Sequence, residues 1–122
     1  MKNLLIIGAG GAIGSIGRYL VQVWADRYLT LRFPVGTLMV NFSGCLLIGL
    51  LYGLSLRNGW FTFEWRIFLI TGICGGYTTF SSFAYESISL VREGQLAAFF
   101  LYVGGSVILG LLATVIGIMV VR

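Results

Sequence analysis

Long apolar runs separated by short polar joints dominate the pattern of this chain. Four runs, residues 4–24, 35–56, 65–90 and 96–120, each supply the roughly 20 residues that a helix needs to cross a bilayer core. The joints, residues 25–33, 57–64 and 91–95, are too short to hold a soluble domain. Pro34 stands where a helix start tolerates proline, and Gly94 suits a tight turn. The pattern predicts one all-α domain over residues 1–122 with four transmembrane helices.

Composition excludes most other classes of protein. The 122 residues are 58% hydrophobic and 10% charged, whereas soluble domains carry about 25% charged residues. Without histidine, and with four acidic residues, the chain offers no combination of nucleophile, base and orienting group for an enzyme site. No basic patch with interleaved aromatic residues indicates a nucleic acid partner. We therefore expect an integral membrane protein that is embedded in the lipid bilayer and is not an enzyme.

Small residues recur at four-residue spacing in three of the predicted spans. Small side chains let helices in lipid approach closely, and packing drives their association there. Two interpretations stay open: these residues pack the four helices of one subunit, or one such face contacts a second copy. The residues are Gly10 and Gly14, Gly49 and Gly53, and Ser106, Gly110 and Thr114.

Basic residues are balanced between the two ends of the predicted bundle. With four spans, both termini and the joint 57–64 share one side. That side carries Lys2, Arg57, Arg66 and Arg122, and the other carries Arg18, Arg27, Arg32 and Arg92. Orientation follows the excess of Lys and Arg on one side, and here there is no excess. The balance predicts insertion in both orientations and an antiparallel homodimer; the alternative is that local placement or a partner fixes one orientation.

The third span contains a polar stretch near its middle. Glycines at 75 and 76 are followed by four hydroxyl residues among residues 78–82. Glycine in a helix interior costs about 1 kcal/mol relative to alanine, and β-branched threonine weakens the helix further. Opened backbone in lipid needs protein or ion partners, which discontinuous transporter helices use as ion sites. The stretch predicts a mid-membrane break with an ion site; a plain kink, with hydroxyls bonded back to carbonyls, is the alternative.

The same stretch resembles a family signature. Residues 75–83, Gly-Gly-Tyr-Thr-Thr-Phe-Ser-Ser-Phe, followed by Glu86, are similar to the G-G-x-T-T-F-S-[ST]-F signature of the Fluc (CrcB) fluoride channels. The resemblance covers essentially the whole chain, with Tyr77 as a departure where many relatives carry leucine. Further matches are Gly36-Thr37-Leu38 with Val40-Asn41 in span two, and Gly14 with Arg18-Tyr19 in span one.

The resemblance implies a channel that exports fluoride passively from the bacterial cytoplasm, through two pores of an antiparallel homodimer in the inner membrane. It implies a central structural sodium ion, held by the main-chain carbonyls of Gly75 and Thr78 in both subunits. It places the pore phenylalanines at Phe80 and Phe83 and the pore asparagine at Asn41. The remaining pore positions that it implies, on spans three and four, are Thr79, Ser81, Ser82, Glu86, Tyr102 and Ser106.

The chemistry of these side chains suits a small, strongly hydrated anion. Amide and hydroxyl groups donate hydrogen bonds without formal charge, and the edge of an aromatic ring is positive. Weak contacts in series let an ion leave again, and a sodium ion offsets the electrostatic cost of anions in a low dielectric. Phe80 and Phe83 are three residues apart and share a helix face, although such a pair in isolation more often packs a core.

Arg18 and Glu86 are the charged residues that we place inside spans, and such residues are functional candidates. Arg18 either attracts anions in a vestibule or extends to the membrane interface. Glu86 either lines the polar track or lies at an aqueous end. A proton-coupled small multidrug exporter is the alternative function, because such a protein relies on a membrane carboxylate and Glu86 is the candidate for it.

Overall fold

Helices make up nearly all of the structure. The computed structural model describes residues 1–29, 33–57 and 59–122, and within these ranges no β-strand occurs. The elements are α1 (Lys2–Tyr28), α2 (Val35–Arg57), α3 (Phe63–Arg66), a π-helix (Ile67–Cys74), α4 (Gly75–Tyr77), α5 (Ser81–Arg92) and α6 (Leu96–Val121). Here α3, the π-helix, α4 and α5 together form the third segment. All four segments are long and apolar enough to cross a membrane, which confirms the all-α prediction with four spans.

Local sequence signals explain where several helices begin and end. α2 starts directly after Pro34, whose missing N–H group is no loss at a helix start. The turn between α5 and α6 places Gly94 at a φ of 75°, a conformation that glycine adopts without strain. α1 continues to Tyr28, past the end of the apolar run at residue 24, because polar residues end such a run without ending helical hydrogen bonding.

Two contacts fix which ends of the helices lie together. Lys2 Nζ lies 3.7 Å from Glu64 Oε1, which joins the start of α1 to the start of the third segment. Arg57 Nη1 donates a hydrogen bond of 2.8 Å to the Val121 carbonyl oxygen. Both termini and the joint after α2 therefore lie at one end of the bundle, as the charge count assumes. Arg32, which enters that count, lies outside the described residues.

Glycines set the close contacts between parallel helices. A Cβ atom on Gly10 would lie 2.9 Å from Gly72 Cα, and one on Gly14 would meet the Ile73 carbonyl. On the other side of the bundle, a Cβ on Gly49 would meet the Thr114 carbonyl of α6. The two predicted glycine pairs thus pack helices of one subunit, α1 on the third segment and α2 on α6.

The apolar core inside one chain is small. Its buried centre consists of Leu51, Phe61, Ile70 and Cys74. Most large apolar side chains of α1 and α6 are instead exposed. Such a surface suits lipid or a second copy of the chain rather than water.

Candidate functional site

The third segment leaves the helical conformation at residues 78–80, which we call the break. α4 ends at Tyr77, Thr78 is extended with a ψ of 154°, and α5 begins at Ser81. The segment is already irregular before the break, because residues 67–74 form a π-helix, a rare geometry that is frequent at functional sites. The break follows the adjacent glycines rather than falling on them.

The two glycines before the break have different surroundings. A Cβ on Gly76 would lie 2.5 Å from the Gly11 carbonyl oxygen and 3.0 Å from Gly11 Cα, so glycine is needed there for contact with α1. Gly75 is exposed, and a Cβ on it would meet nothing closer than the Ile70 carbonyl oxygen at 3.9 Å. One glycine therefore serves packing, while the other leaves open space beside the break.

Side chains from neighbouring helices hold the break in place. Asn41 of α2 makes two hydrogen bonds with the backbone of Thr79: Nδ2 donates to its carbonyl oxygen at 2.9 Å, and Oδ1 accepts from its N–H at 2.9 Å. Arg18 of α1 donates from Nε to the Gly76 carbonyl oxygen at 3.2 Å. The Thr79 hydroxyl accepts from the N–H of Ser82 at 3.2 Å and so caps the start of α5.

This arrangement leaves backbone carbonyls without partners. In a continuous helix, the carbonyls of Gly75 and Thr78 would accept from the N–H groups of Thr79 and Ser82. Those two N–H groups are bonded instead to the Asn41 amide and the Thr79 hydroxyl. Within residues 1–29, 33–57 and 59–122, no hydrogen bond reaches the carbonyl oxygens of Gly75, Tyr77 or Thr78.

Free carbonyl oxygens are the groups that this site offers to a metal. Hard cations take backbone carbonyls as ligands, and Gly75, the more exposed of the two glycines, has open space next to it. No group of three or more His, Cys, Asp or Glu side chains that could hold a metal occurs in the part of the chain that the structure describes. The carbonyls expected to bind sodium, those of Gly75 and Thr78, are thus chemically suited to a hard cation.

Thr78 makes the kind of hydrogen bond expected from the alternative interpretation, a plain kink in which hydroxyls bond back to carbonyls. Its hydroxyl donates to the Cys74 carbonyl oxygen at 2.9 Å, one helical turn earlier. Its methyl group packs against Gly44 of α2. A bonded hydroxyl explains a bend but not the non-helical residues that follow, which need the Asn41 contacts.

A cavity of about 340 Å³, the break cavity, lies beside these residues. Asn41, Phe80, Phe83 and Ser106 line it, together with Thr78, Thr79 and apolar side chains of α2 and α6. The Ser106 hydroxyl is buried and has no hydrogen-bond partner among the described residues. Asn41 Nδ2 carries two hydrogens and donates one of them to the Thr79 carbonyl, which leaves the other available. The Asn41 amide and the Ser106 hydroxyl are therefore two neutral donors at a cavity that phenylalanine rings also line.

A second cavity of about 470 Å³, the mouth cavity, lies between the end of α1, the start of α2 and α5. Its lining includes Thr37, Ser82 and Glu86. Glu86 accepts two hydrogen bonds, from the Thr37 hydroxyl at 2.8 Å and from the buried Tyr102 hydroxyl at 2.9 Å. Gln22 donates to the Thr37 oxygen at 3.3 Å. Glu86 therefore belongs to a hydrogen-bonded network that reaches from α1 to α6.

A row of aromatic rings runs between the two cavities. The ring centroids of Phe80 and Phe83 are 5.8 Å apart, and those of Phe83 and Tyr102 are 5.2 Å apart. Phe33 continues the row at 5.3 Å from Tyr102 in an edge-on contact. Thr37 and Asn41 lie four residues apart on α2, so the two cavities follow one another along one helix face.

The structure brings most of the predicted site residues together. Asn41, Thr78, Thr79, Phe80, Phe83 and Ser106 border the break cavity, and Ser82, Glu86 and Tyr102 belong to the mouth cavity or its network. Ser81 is exposed and lies 3.4 Å from the Thr79 hydroxyl, and it lines neither cavity. Arg18 is half-buried and bonded to the break rather than extended to a helix end.

Two polar residues of the network had no predicted role. Thr37 belongs to the family motif in span two without a role of its own, and Gln22 belongs to no motif. Both stand in apolar spans at a spacing of four from a predicted residue, Thr37 before Asn41 and Gln22 after Arg18. Polar residues at that spacing share a helix face, and this signal could have identified them.

Comparison with known proteins identifies the family of this chain. A family described as "CrcB-like protein, Camphor Resistance (CrcB)" matches residues 5–118. Relatives named "Fluoride-specific ion channel FluC" include one from Flavobacterium psychrophilum, 43% identical over 122 residues that cover 100% of this chain and 98% of the relative. Another, from Phocaeicola vulgatus, is 46% identical over 118 residues, 97% of each chain. A third, from Nitrobacter winogradskyi, is 44% identical over 119 residues, 98% of this chain and 94% of the relative. With this match over nearly its whole length, this multi-pass membrane protein belongs to the CrcB-like family, whose named relatives are ion channels and not enzymes.

Proposed function

We propose that this protein is a fluoride channel of a bacterial inner membrane, through which fluoride leaves the cytoplasm down its gradient. The observation that carries the proposal is the break cavity, where the Asn41 amide and the Ser106 hydroxyl, which has no partner among the described residues, lie with two phenylalanine rings. These groups offer hydrogen bonds and ring edges without a fixed positive charge, so an anion is stabilised but not trapped. The name of the relatives points to the same ion.

The mouth cavity supplies the next step of the proposed path. The Thr37 and Tyr102 hydroxyls have one proton each, and both protons point to the Glu86 carboxylate. An arriving fluoride ion can accept those two hydrogen bonds in place of the carboxylate, one anion for another, while both hydroxyls keep their protons. The long side chain of Glu86 has room to move, because it lines the mouth cavity.

We assign the structural sodium ion to the carbonyl oxygens of Gly75 and Thr78. The support is that these oxygens accept no hydrogen bond within the described residues. A bound cation would supply a positive charge that lowers the cost of bringing anions into the membrane. Two oxygens leave a hard cation short of ligands, so we infer that a second copy contributes the same pair.

An antiparallel dimer follows from the charge balance. The sequence count assigns four basic residues to each side, and the contacts of Lys2 with Glu64 and of Arg57 with Val121 support its grouping of the chain ends. Arg18 of that count bonds to the break, and Arg32 lies outside the described residues. We expect a C-terminal tag to be accessible to a membrane-impermeant label from each face in roughly equal shares. Labelling of intact and permeabilised cells measures this, and a tag confined to one face would contradict dual insertion.

Efflux from liposomes tests the function directly. Liposomes that contain only this purified protein should release fluoride down its gradient without a proton gradient, while chloride stays inside. An ion-selective electrode for each halide measures the release. Equal release of both halides, or release that requires a proton gradient, would contradict a passive fluoride channel.

Glu86→Gln separates the channel from a proton-coupled exporter. Glutamine can still accept from one hydroxyl, and the other hydroxyl can rotate to accept from the new amide, so the network survives. We expect passive fluoride efflux to stay within about ten-fold of wild type, the scale of one altered hydrogen bond. An exporter would lose transport, because it needs the titratable carboxyl at this position.

A further inference from the structure

Tyr77 is the last helical residue before the break, and its hydroxyl forms a hydrogen bond with α2. Tyr77 Oη lies 2.8 Å from Ser43 Oγ. The Ser43 hydroxyl has one proton and donates a hydrogen bond within its own helix. The acceptor is the Met39 carbonyl oxygen at 2.7 Å, and the Val40 carbonyl oxygen lies farther away at 3.2 Å. Tyr77 is therefore the donor to Ser43, and its proton is not available to an anion.

Two glycines make room for the Tyr77 ring. A Cβ atom on Gly44 of α2 would lie 3.3 Å from Cδ2 of the ring, and one on Gly17 of α1 would lie 3.6 Å from Cδ1. The ring is thus held between α1 and α2, with its hydroxyl bonded to Ser43. Neither the ring nor the hydroxyl contributes to the lining of the break cavity or the mouth cavity.

Tyr77 also lies between the two carbonyls of the proposed cation site. Gly75 is two residues before it and Thr78 is the next residue. Asn41 fixes the chain after the break through the Thr79 backbone. Among the described residues, the side-chain hydrogen bonds that join residues 75–77 to other helices are the Arg18 bond to Gly76 and the Tyr77–Ser43 bond.

We propose that Tyr77 is a positioning residue for the cation site: its hydrogen bond to Ser43 fixes the backbone of residues 75–78 against α2 before a cation binds. The inference rests on the proposed function, because it concerns the sodium ion assigned there. Ordering the carbonyls in advance removes part of the ordering cost of binding, so the bond raises cation affinity without touching the ion. Maximal fluoride flux, which depends on the two cavities, is not expected to change.

The test is the sodium dependence of fluoride efflux from liposomes, with potassium replacing sodium at constant ionic strength. We expect Tyr77→Phe to raise the sodium concentration for half-maximal efflux about five-fold, the scale of one neutral hydrogen bond. Efflux at saturating sodium should stay within about two-fold of wild type, because the phenylalanine ring still fills the space between Gly17 and Gly44. Ser43→Ala should shift the midpoint by the same factor, and the double variant should shift it no further, since both changes remove one bond.

Two matched variants control for loss of a hydroxyl elsewhere. Tyr85→Phe changes an exposed tyrosine of α5, and Ser55→Ala removes a hydroxyl that bonds the Tyr52 carbonyl of its own helix at 2.7 Å. Both should keep the wild-type midpoint. A wild-type midpoint in Tyr77→Phe, or shifts that multiply in the double variant, would overturn the role of Tyr77. Wild-type protein that releases no fluoride, or releases it without sodium dependence, would overturn the proposed function or its cation site, and with it this inference.

Discussion

Replacing Phe80 with isoleucine should reduce fluoride efflux at least about ten-fold while the protein still folds, because the positive ring edge is lost from the path. The Phe80 side chain is 79% exposed within one chain, so its removal costs little packing. It borders the break cavity, and isoleucine has no positive ring edge to face an anion there. Fluoride efflux measured beside the thermal unfolding midpoint in detergent separates loss of function from loss of structure.

Phe100→Ile is the matched control for this prediction. Phe100 is a similarly exposed phenylalanine on α6, and its ring lies 5.1 Å from that of Phe99, much as Phe80 lies beside Phe83. It lines neither the break cavity nor the mouth cavity. We expect wild-type efflux from Phe100→Ile. Full activity of Phe80→Ile would remove the role assigned to that ring, and equal losses in both variants would point to folding or lipid contact instead.

The apolar pattern was sufficient to predict the four helices. A bilayer requires continuous apolar helices of about 20 residues, and little else satisfies the backbone there. Pro34 and Gly94 act through their own backbone geometry, so their places at a helix start and a turn are also visible in the sequence. Because the α2–α3 and α5–α6 joints are short, the four helices alternate in direction, and the predicted grouping of the chain ends follows.

The conformation of the third segment depends on contacts that a linear pattern does not contain. The glycine and threonine run predicts weak helix at residues 75–79, but the helix opens only after Tyr77, where Asn41 takes the N–H of Thr79. Gly76 stays helical against Gly11, a contact between distant residues. The π-helix before it has no recognisable signal in an apolar run such as residues 67–74, of which Gly72 and Ile73 pack closely on α1.

The sequence indicates which residues belong to the candidate site, but not which hydrogen bonds they make. Resemblance to a family supplied Asn41, the phenylalanines and the carbonyls, yet it described Asn41 only as a pore residue. In the structure Asn41 has a second role, because its amide nitrogen and its amide oxygen both form hydrogen bonds with the Thr79 backbone. The same amide that borders the break cavity therefore also keeps the break open, and substitutions of Asn41 should affect stability and flux together.

Asn41→Asp is expected to reduce fluoride efflux at least about a hundred-fold and to lower the thermal midpoint. Aspartate can still accept from the Thr79 N–H, but it places an oxygen where Nδ2 donated to the Thr79 carbonyl. Leaving that carbonyl without its donor costs about 1–3 kcal/mol. A negative charge beside the break cavity also repels fluoride, by about 4 kcal/mol at 4 Å with an effective dielectric constant of 20.

Two further variants separate the effect of losing the bonds to Thr79 from the effect of the added negative charge. Asn41→Ala removes both bonds to Thr79 without adding charge, so it should also lower the thermal midpoint while reducing efflux less than Asn41→Asp for each molecule that remains folded. Asn3→Asp adds the same charge at an exposed position near the start of α1 and should behave as wild type. If Asn41→Asp kept wild-type efflux, the amide would not border the fluoride path. If Asn41→Ala kept the wild-type midpoint, the two bonds to Thr79 would not hold the break, and the free carbonyls of Gly75 and Thr78 would lose their explanation.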